Sequence, residues 1–116
     1  MPETLTGAPA VKVSRKQLFA VTRSHGPAWQ DGRPLDMQEG WEAHAAFMDA
    51  LTDEGFVLLG GPLEDTSEVL LVVHAESPEQ VVERFAQDPG SHLGLLCDGR
   101  VAAWNLRLGS LPVSNS

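Results

Sequence analysis

The stretch that decides the fold is residues 56–75, FVLLGGPLEDTSEVLLVVHA, in which two apolar runs flank a turn. The first run ends in Gly60-Gly61-Pro62, a sequence typical of a turn. The second run, Glu68 to Ala75, is apolar at consecutive positions, which is typical of a strand covered on both faces. Two strands therefore follow one another here without a helix between them.

A helix is predicted on each side of this strand pair. Upstream it extends from Leu35 or Asp36 to Glu54, and an apolar stripe runs along it at spacings of three and four residues: Met37, Trp41, His44, Met48 and Leu51. Downstream, Ser77-Pro-Glu-Gln80 begins the second helix, with Ser77 as the N-cap. That helix is predicted to end at Asp88-Pro89, because proline disfavours the α conformation in the residue before it.

Two outer strands complete the pattern. Residues 17–23 form the first, and residues 93–108 form the last, which Asp98-Gly99 interrupts as a bulge or a hairpin turn, the bulge being favoured. The order β-α-β-β-α-β predicts an α+β, ferredoxin-like fold with a four-stranded antiparallel sheet and two helices on one face. Residues 14–108 form one domain, and residues 1–13 and 109–116 are predicted to be flexible tails.

The sheet face without helices would expose a large apolar surface, and such surfaces usually mark an interface. We therefore expect a homodimer that pairs through the open sheet face into a dimeric α/β barrel. The apolar character of residues 68–75 agrees with cover on both faces.

Composition excludes several classes of partner. Acidic side chains outnumber basic ones 16 to 8, and no basic patch is present, so we expect no nucleic-acid partner. The longest apolar run, Val69 to Val73, is far shorter than the ~20 residues that span a bilayer, so we expect no membrane association. The single cysteine, Cys97, is interpreted as a strand residue and agrees with a cytoplasmic location.

His44 is unusual because it places a titratable ring on the apolar stripe of the first helix. A buried imidazole needs a hydrogen-bond partner or a cavity wall position, since an unpaired one is costly. From the residues alone, a core histidine held by a carbonyl or carboxylate is the favoured interpretation.

Five segments in order resemble the YCII-related (YciI-like) proteins of the dimeric α/β-barrel superfamily: RSHGPAW at 23–29, WEAHAAFMDAL at 41–51, GGPL at 60–63, QDP at 87–89 and WNLR at 104–107. The resemblance covers residues 17–108 and implies a site built on a His-Asp pair, which falls on His44 and Asp88. Some members are enzymes of acid–base chemistry, including a dehydrochlorinase of a chlorinated hydroxyquinol. Two positions depart from the family pattern: the Asp98-Gly99 interruption, and Gly90, where the family usually has a bulky residue.

The pair makes chemical sense as a general base. Asp88 is expected at the C-terminal end of the second helix, where the dipole and burial both raise its pKa. By accepting from one ring nitrogen of His44, it would fix the tautomer and support the imidazolium that forms when the other nitrogen takes a proton. From the residues alone, an Asp-Pro turn that ends the helix is the favoured interpretation of Asp88.

Other residues are candidates for binding a substrate. Trp29, Trp41 and Met48 would form an apolar wall, although large aromatics are more often core or dimer interface. Arg23 would bind a carboxylate or phenolate through its planar fork, or form a surface ion pair. The turn at Gly61 and Pro62 brings backbone close to the site.

No metal or cofactor is expected. His25, His74 and His92 share no ligand spacing with one another or with His44, and no nucleotide-binding fingerprint is present. The predicted function is a small cofactor-independent lyase or isomerase that abstracts a proton from a small cyclic carbonyl or phenolic substrate. The alternative is a non-catalytic homodimeric protein that binds a small molecule or acts as an accessory.

Overall fold

A computed structural model describes residues 16–109, which form four strands and three helices. In chain order these are β1 (Gln17–His25), α1 (Trp41–Asp53), β2 (Val57–Pro62), β3 (Glu68–Ala75), α2 (Pro78–Phe85), α3 (Pro89–His92) and β4 (Leu96–Ala103), with a 3-10 turn at Leu35–Met37 before α1. The predicted tails, 1–13 and 109–116, lie outside the described residues except for Gly109.

The strands form one antiparallel sheet in the order β2-β3-β1-β4. Both longer helices pack with the sheet into a single core, whose members are Phe19, Val21, Leu51, Phe56, Val57, Leu71, Val73, Ala75, Val81 and Phe85. This arrangement confirms the predicted α+β fold class with its β-α-β-β-α-β order.

The middle of β3, residues 71–73, is buried on both faces, as its sequence predicted. Leu71 and Val73 belong to the core, and Val72 between them, on the opposite face of the sheet, is only 3% exposed. Leu59, which pairs with Val72 across the sheet, is 47% exposed on that same open face.

The first helix begins later than predicted, at Trp41 instead of Leu35 or Asp36. Gly40 is the N-cap residue, with a φ of 83° that few side chains tolerate, so the chain turns there instead of continuing as a helix. Met37 therefore lies in the 3-10 turn and is 58% exposed, and its assignment to the buried stripe was wrong. His44 and Leu51 are buried as predicted.

The Asp98-Gly99 interruption is a bulge within β4. Val21 pairs with Val101 and Arg23 pairs with Asp98, so β4 uses three steps where β1 uses two. The favoured interpretation is confirmed, and the bulge places Asp98 beside Arg23.

The second helix ends at Phe85, three residues before the predicted end. Asp88 is extended, with φ −66° and ψ 126°, and it caps the N-terminus of α3 instead of ending α2. The prediction that a helix C-terminal dipole acts on Asp88 was therefore wrong. The nearest helix end presents N–H groups, which favour a negative charge.

Among residues 16–109, no helix is long and apolar enough to cross a bilayer.

Candidate functional site

His44 and Asp88 form a buried pair, although 44 residues separate them in the chain. The ring Nδ1 lies 2.8 Å from Asp88 Oδ2 and 3.0 Å from Oδ1. Asp88 is fully buried and His44 is 5% exposed. The first turn of α1 supplies the ring, and the turn between α2 and α3 supplies the carboxylate.

Three groups donate to Asp88. Besides His44, Arg23 Nη1 donates to Oδ2 at 2.7 Å, and the Gly90 amide donates to Oδ1 at 2.8 Å. Burial raises the pKa of this carboxyl, but the hydrogen bonds from His44, Arg23 and Gly90 together outweigh burial and hold the pKa below 3.8. The predicted direction was wrong, because these donors cannot be seen from the helix boundary.

Arg23 is also buried, with only 1% of the residue exposed. Its second terminal nitrogen, Nη2, donates to the Ser91 hydroxyl, and its Nε lies 3.5 Å from Asp98 Oδ1 without a hydrogen-bond partner. Arg23 therefore forms an ion pair, which was one of its two predicted roles, but the pair is buried and not on the surface as predicted.

A pocket of about 160 Å³ opens beside His44. It contains seven of the eight predicted site residues, namely His44, Arg23, Trp29, Trp41, Met48, Gly61 and Pro62. Asp88 lies behind the ring and is not part of the wall. The rest of the lining is Leu35, Gly60, Val69, Leu71 and Leu96, so the surroundings of the ring are largely apolar.

The orientation of the ring suits proton transfer. Because Nδ1 faces Asp88, Nε2 on the far side of the ring is the nitrogen directed away from the carboxylate. Within residues 16–109, no group forms a hydrogen bond with Nε2. This nitrogen is also not among the buried polar atoms that lack a partner, so it is accessible from the pocket side. The Trp41 ring lies beside the His44 ring, with 5.0 Å between ring centroids. Such a ring can accept a proton from a molecule in the pocket.

Comparison with known families gives a match between residues 18–105 and the YCII-related domain. The chain belongs to the YCII-related domain family. The match spans most of the described residues and includes all eight predicted site residues. It confirms the family resemblance seen in the sequence.

One solved structure is similar to this YCII-related chain. It is 5-chloro-2-hydroxyhydroquinone dehydrochlorinase (TftG) from Burkholderia phenoliruptrix in complex with 2,5-dihydroxybenzoquinone. The TM-score is 0.52 at 23% sequence identity, and the match covers 79% of this chain and 95% of the other. At this identity the likeness shows the fold. A comparison with curated proteins gave no match.

The YCII-related site also contains residues that were not predicted to belong to it. Ser91 anchors Arg23, and its own hydroxyl donates to the Phe85 carbonyl at 3.0 Å. Gly90 lies so close to His44 that a Cβ there would be 2.8 Å from Nδ1. The departure from the family pattern at Gly90 thus leaves room for the His44 ring. The sequence showed this departure but not that Gly90 lies against His44.

Gln38 organises the loop that carries the pocket residues Trp29 and Leu35. Its side chain is buried, accepts from the Gln30 amide at 2.8 Å, and donates to the carbonyls of Gln30 and Arg33, both at 2.9 Å. Trp29 itself stacks on His25, with ring centroids 3.6 Å apart. The Gln38 side chain therefore adds three hydrogen bonds to those that the loop backbone makes.

The described part of the chain contains no group of three or more His, Cys, Asp or Glu side chains placed to hold a metal ion.

Proposed function

We propose that this protein is a cofactor-independent lyase or isomerase in which His44 Nε2 abstracts a proton and Asp88 orients the ring. The substrate is a small cyclic carbonyl or phenolic compound. The observation that carries this proposal is the buried 2.8 Å contact between His44 Nδ1 and Asp88 Oδ2 at the wall of a largely apolar pocket.

The pocket agrees with a substrate of this class. Its volume of about 160 Å³ suits a single substituted ring, and Trp29 and Trp41 offer flat surfaces to it. Met48 and Pro62 complete the wall, and Gly61 brings backbone to its edge. The similar dehydrochlorinase was solved with a small cyclic quinone bound, which supports the same class here.

The proposed reaction uses only His44 and Asp88. His44 Nε2 takes a proton from an acidic carbon or hydroxyl of the substrate, and the electron pair left behind forms a new double bond. In an elimination, that pair expels a leaving group with its bonding electrons. In a tautomerisation, the proton returns at another atom. Asp88 stabilises the imidazolium that exists between these steps.

Proton abstraction can be tested without knowing the natural substrate. Small cyclic ketones, hydroxyquinols and chlorinated phenols in deuterated water would be followed by NMR for exchange of carbon-bound hydrogen and for release of chloride. His44→Asn should slow the accelerated reaction by about 10²- to 10⁴-fold, the usual contribution of a general base.

The matched control is His92→Asn, because His92 is an exposed histidine on α3. It should react like the wild type. A His44→Asn protein that retains the wild-type rate would contradict the proposed mechanism. Ligands that bind and emerge unchanged, with an affinity that differs between the wild type and His44→Asn, would instead favour the alternative, a non-catalytic binding or accessory protein.

We further propose that the protein works as a homodimer joined through its open sheet face, in the cytoplasm. The support for the dimer is the apolar character of that face, including Leu59, which is 47% exposed in a single chain. The support for the location is that Cys97, the one cysteine, is an exposed free thiol, which suits a reducing compartment.

A further inference from the structure

The Asp88 carboxylate is shared by two basic side chains. Arg23 Nη1 and His44 Nδ1 contact the same oxygen, Oδ2, at 2.7 and 2.8 Å. Ser91 holds a second nitrogen of Arg23, and the guanidinium lies over the Phe85 ring at 5.3 Å from its centroid. The positive charge is thus fixed in place within hydrogen-bonding reach of the carboxylate that orients His44.

Charge balance decides what this arrangement does. Buried charges are tolerated when they compensate one another, and an arginine in a protein does not lose its proton. Arg23 and ionised Asp88 already sum to zero. His44 therefore completes a neutral cluster when its ring is neutral, with its single ring hydrogen on Nδ1 directed at Asp88.

Without Arg23 the same cluster would carry an uncompensated negative charge. A proton would restore neutrality in one of two ways, either as an imidazolium facing the carboxylate or as a carboxylic acid donating to Nδ1. In both cases Nε2 would carry a hydrogen. The nitrogen that faces the pocket would then no longer be a base.

We propose that Arg23 is a positioning residue that takes the place of this proton, so that Asp88 stays ionised and His44 Nε2 stays free of hydrogen at neutral pH. The inference rests on the proposed function for its purpose, since a free Nε2 is what proton abstraction requires. It assigns Arg23 a role through Asp88, in place of the direct substrate contact expected from its planar fork.

The other groups around the cluster leave this balance in place. From α3, the Gly90 amide donates to Asp88 Oδ1 and adds no net charge. From β4, Asp98 lies 3.5 Å from Arg23 Nε but is 48% exposed, so water screens it. From α1, the group that faces Asp88 is His44 itself, and from α2 it is the uncharged Phe85 ring near Arg23.

The test is NMR on protein labelled with nitrogen-15 in histidine and carbon-13 in the aspartate carboxyl groups. At pH 7.5 the wild type should show an Nε2 without hydrogen. Arg23→Met, which keeps most of the side-chain length, should show a hydrogen on Nε2 at the same pH. The carboxyl titration of Asp88 should also change between the two proteins.

Two further variants separate charge from structure. Arg84→Met removes another arginine, from the exposed ion pair with Glu54, and should leave the His44 signals unchanged. Arg23→Lys keeps the positive charge and should restore the hydrogen-free Nε2. A folded Arg23→Met protein with wild-type His44 and Asp88 signals would overturn the inference, as would an Arg23→Lys protein that behaves like Arg23→Met.

If Arg23→Met does not fold, the wild type still puts the inference to the test. A hydrogen on Nε2 at pH 7.5, or an Asp88 carboxyl that titrates above 3.8, would overturn the inference. These signals do not depend on turnover. A protein with a free Nε2 and no activity on any substrate would contradict the proposed function and leave the role of Arg23 standing.

Discussion

Asp88 accepts hydrogen bonds from a ring, a guanidinium and a backbone amide, and it is completely buried. Asp88→Asn would remove the carboxylate that pairs with the buried Arg23 at 2.7 Å and leave the guanidinium only the half-exposed Asp98, and breaking a buried pair in this way costs about 3–5 kcal/mol of folding free energy. Urea denaturation at neutral pH measures this loss. Asp98→Asn is the control, because its half-exposed ion pair with Arg23 contributes about 0–1 kcal/mol.

The same variant should change how stability depends on pH. The folded pKa of Asp88 is lowered from 3.8, so the unfolded chain binds a proton first as the pH falls. The stabilisation from Asp88 is therefore fully present above 3.8 and is lost as the pH falls from there through the lower folded pKa. Asp88→Asn should lack this acid-side loss, and an unchanged acid limb would contradict the lowered pKa.

Gly90 matters because His44 occupies the space where a side chain would be. A Cβ at Gly90 would lie 2.8 Å from His44 Nδ1 and 3.3 Å from Asp88 Oδ1, so Gly90→Ala must displace the ring. We expect a loss of about 1–3 kcal/mol in unfolding free energy, with a shifted His44 signal in NMR spectra.

Gly61→Ala is the matched control for Gly90→Ala. A Cβ at Gly61 would meet no atom within 4 Å, so this variant should keep the wild-type stability and the wild-type His44 signal. Equal effects of the two substitutions would show that His44 is not held against Gly90.

At the level of single residues, sequence reasoning identified the site better than it explained it. The inward direction of His44 follows from helical spacing, but its partner Asp88 came from the family resemblance. The Arg23–Asp88 pair was not foreseen, because 65 residues separate the two and no local pattern encodes a contact at that distance. The pKa direction failed for the same reason.

Among the elements, the loop before α1 depends most on one side chain. Gln38→Ala would remove the acceptor for the Gln30 amide and the donors to two loop carbonyls. We expect faster hydrogen exchange at the Gln30 amide, by about 5- to 15-fold for a hydrogen bond of about 1–1.5 kcal/mol. Glu39→Ala is the control, since Glu39 is an exposed neighbour and its loss should leave the exchange rate unchanged.

The strand elements were predictable because their patterns are strong. The apolar run of β3 and the Ser77 cap of α2 both appear where the sequence placed them. The ends of the helices were harder to predict from the sequence. Gly40 adopts a left-handed conformation that delays α1, and Asp88-Pro89 begins a new short helix instead of ending α2. The turn at Asp88 depends on tertiary contacts, such as the one that Asp88 makes with Arg23.

For the whole molecule, the main prediction concerns association through the open sheet face. Leu70 lies on that face and is half-buried in the single chain, so Leu70→Lys should convert a dimer to monomers in light scattering after size-exclusion chromatography. Leu93→Lys is the control, since Leu93 lies between α3 and β4 and is 54% exposed.

The net charge of −8 provides a second test of the proposed dimer, through the dependence of association on salt. Two copies of one acidic chain repel each other, and salt screens that repulsion over about 8–10 Å at physiological ionic strength. The wild-type dimer should therefore tighten as salt is added. A wild-type protein that is monomeric at every concentration and salt level would contradict the proposed dimer.

The three hydrogen bonds to Asp88 also bear on how such a site persists through evolution. The Asp88 carboxylate caps α3 and neutralises Arg23, so a related protein without the proposed reaction would still lose folding stability by losing Asp88. The need to fold is therefore enough to select against substitution of Asp88. Such a protein would keep the His44–Asp88 pair without catalysing a reaction. Only a measurement of turnover distinguishes it from a family member that is an enzyme.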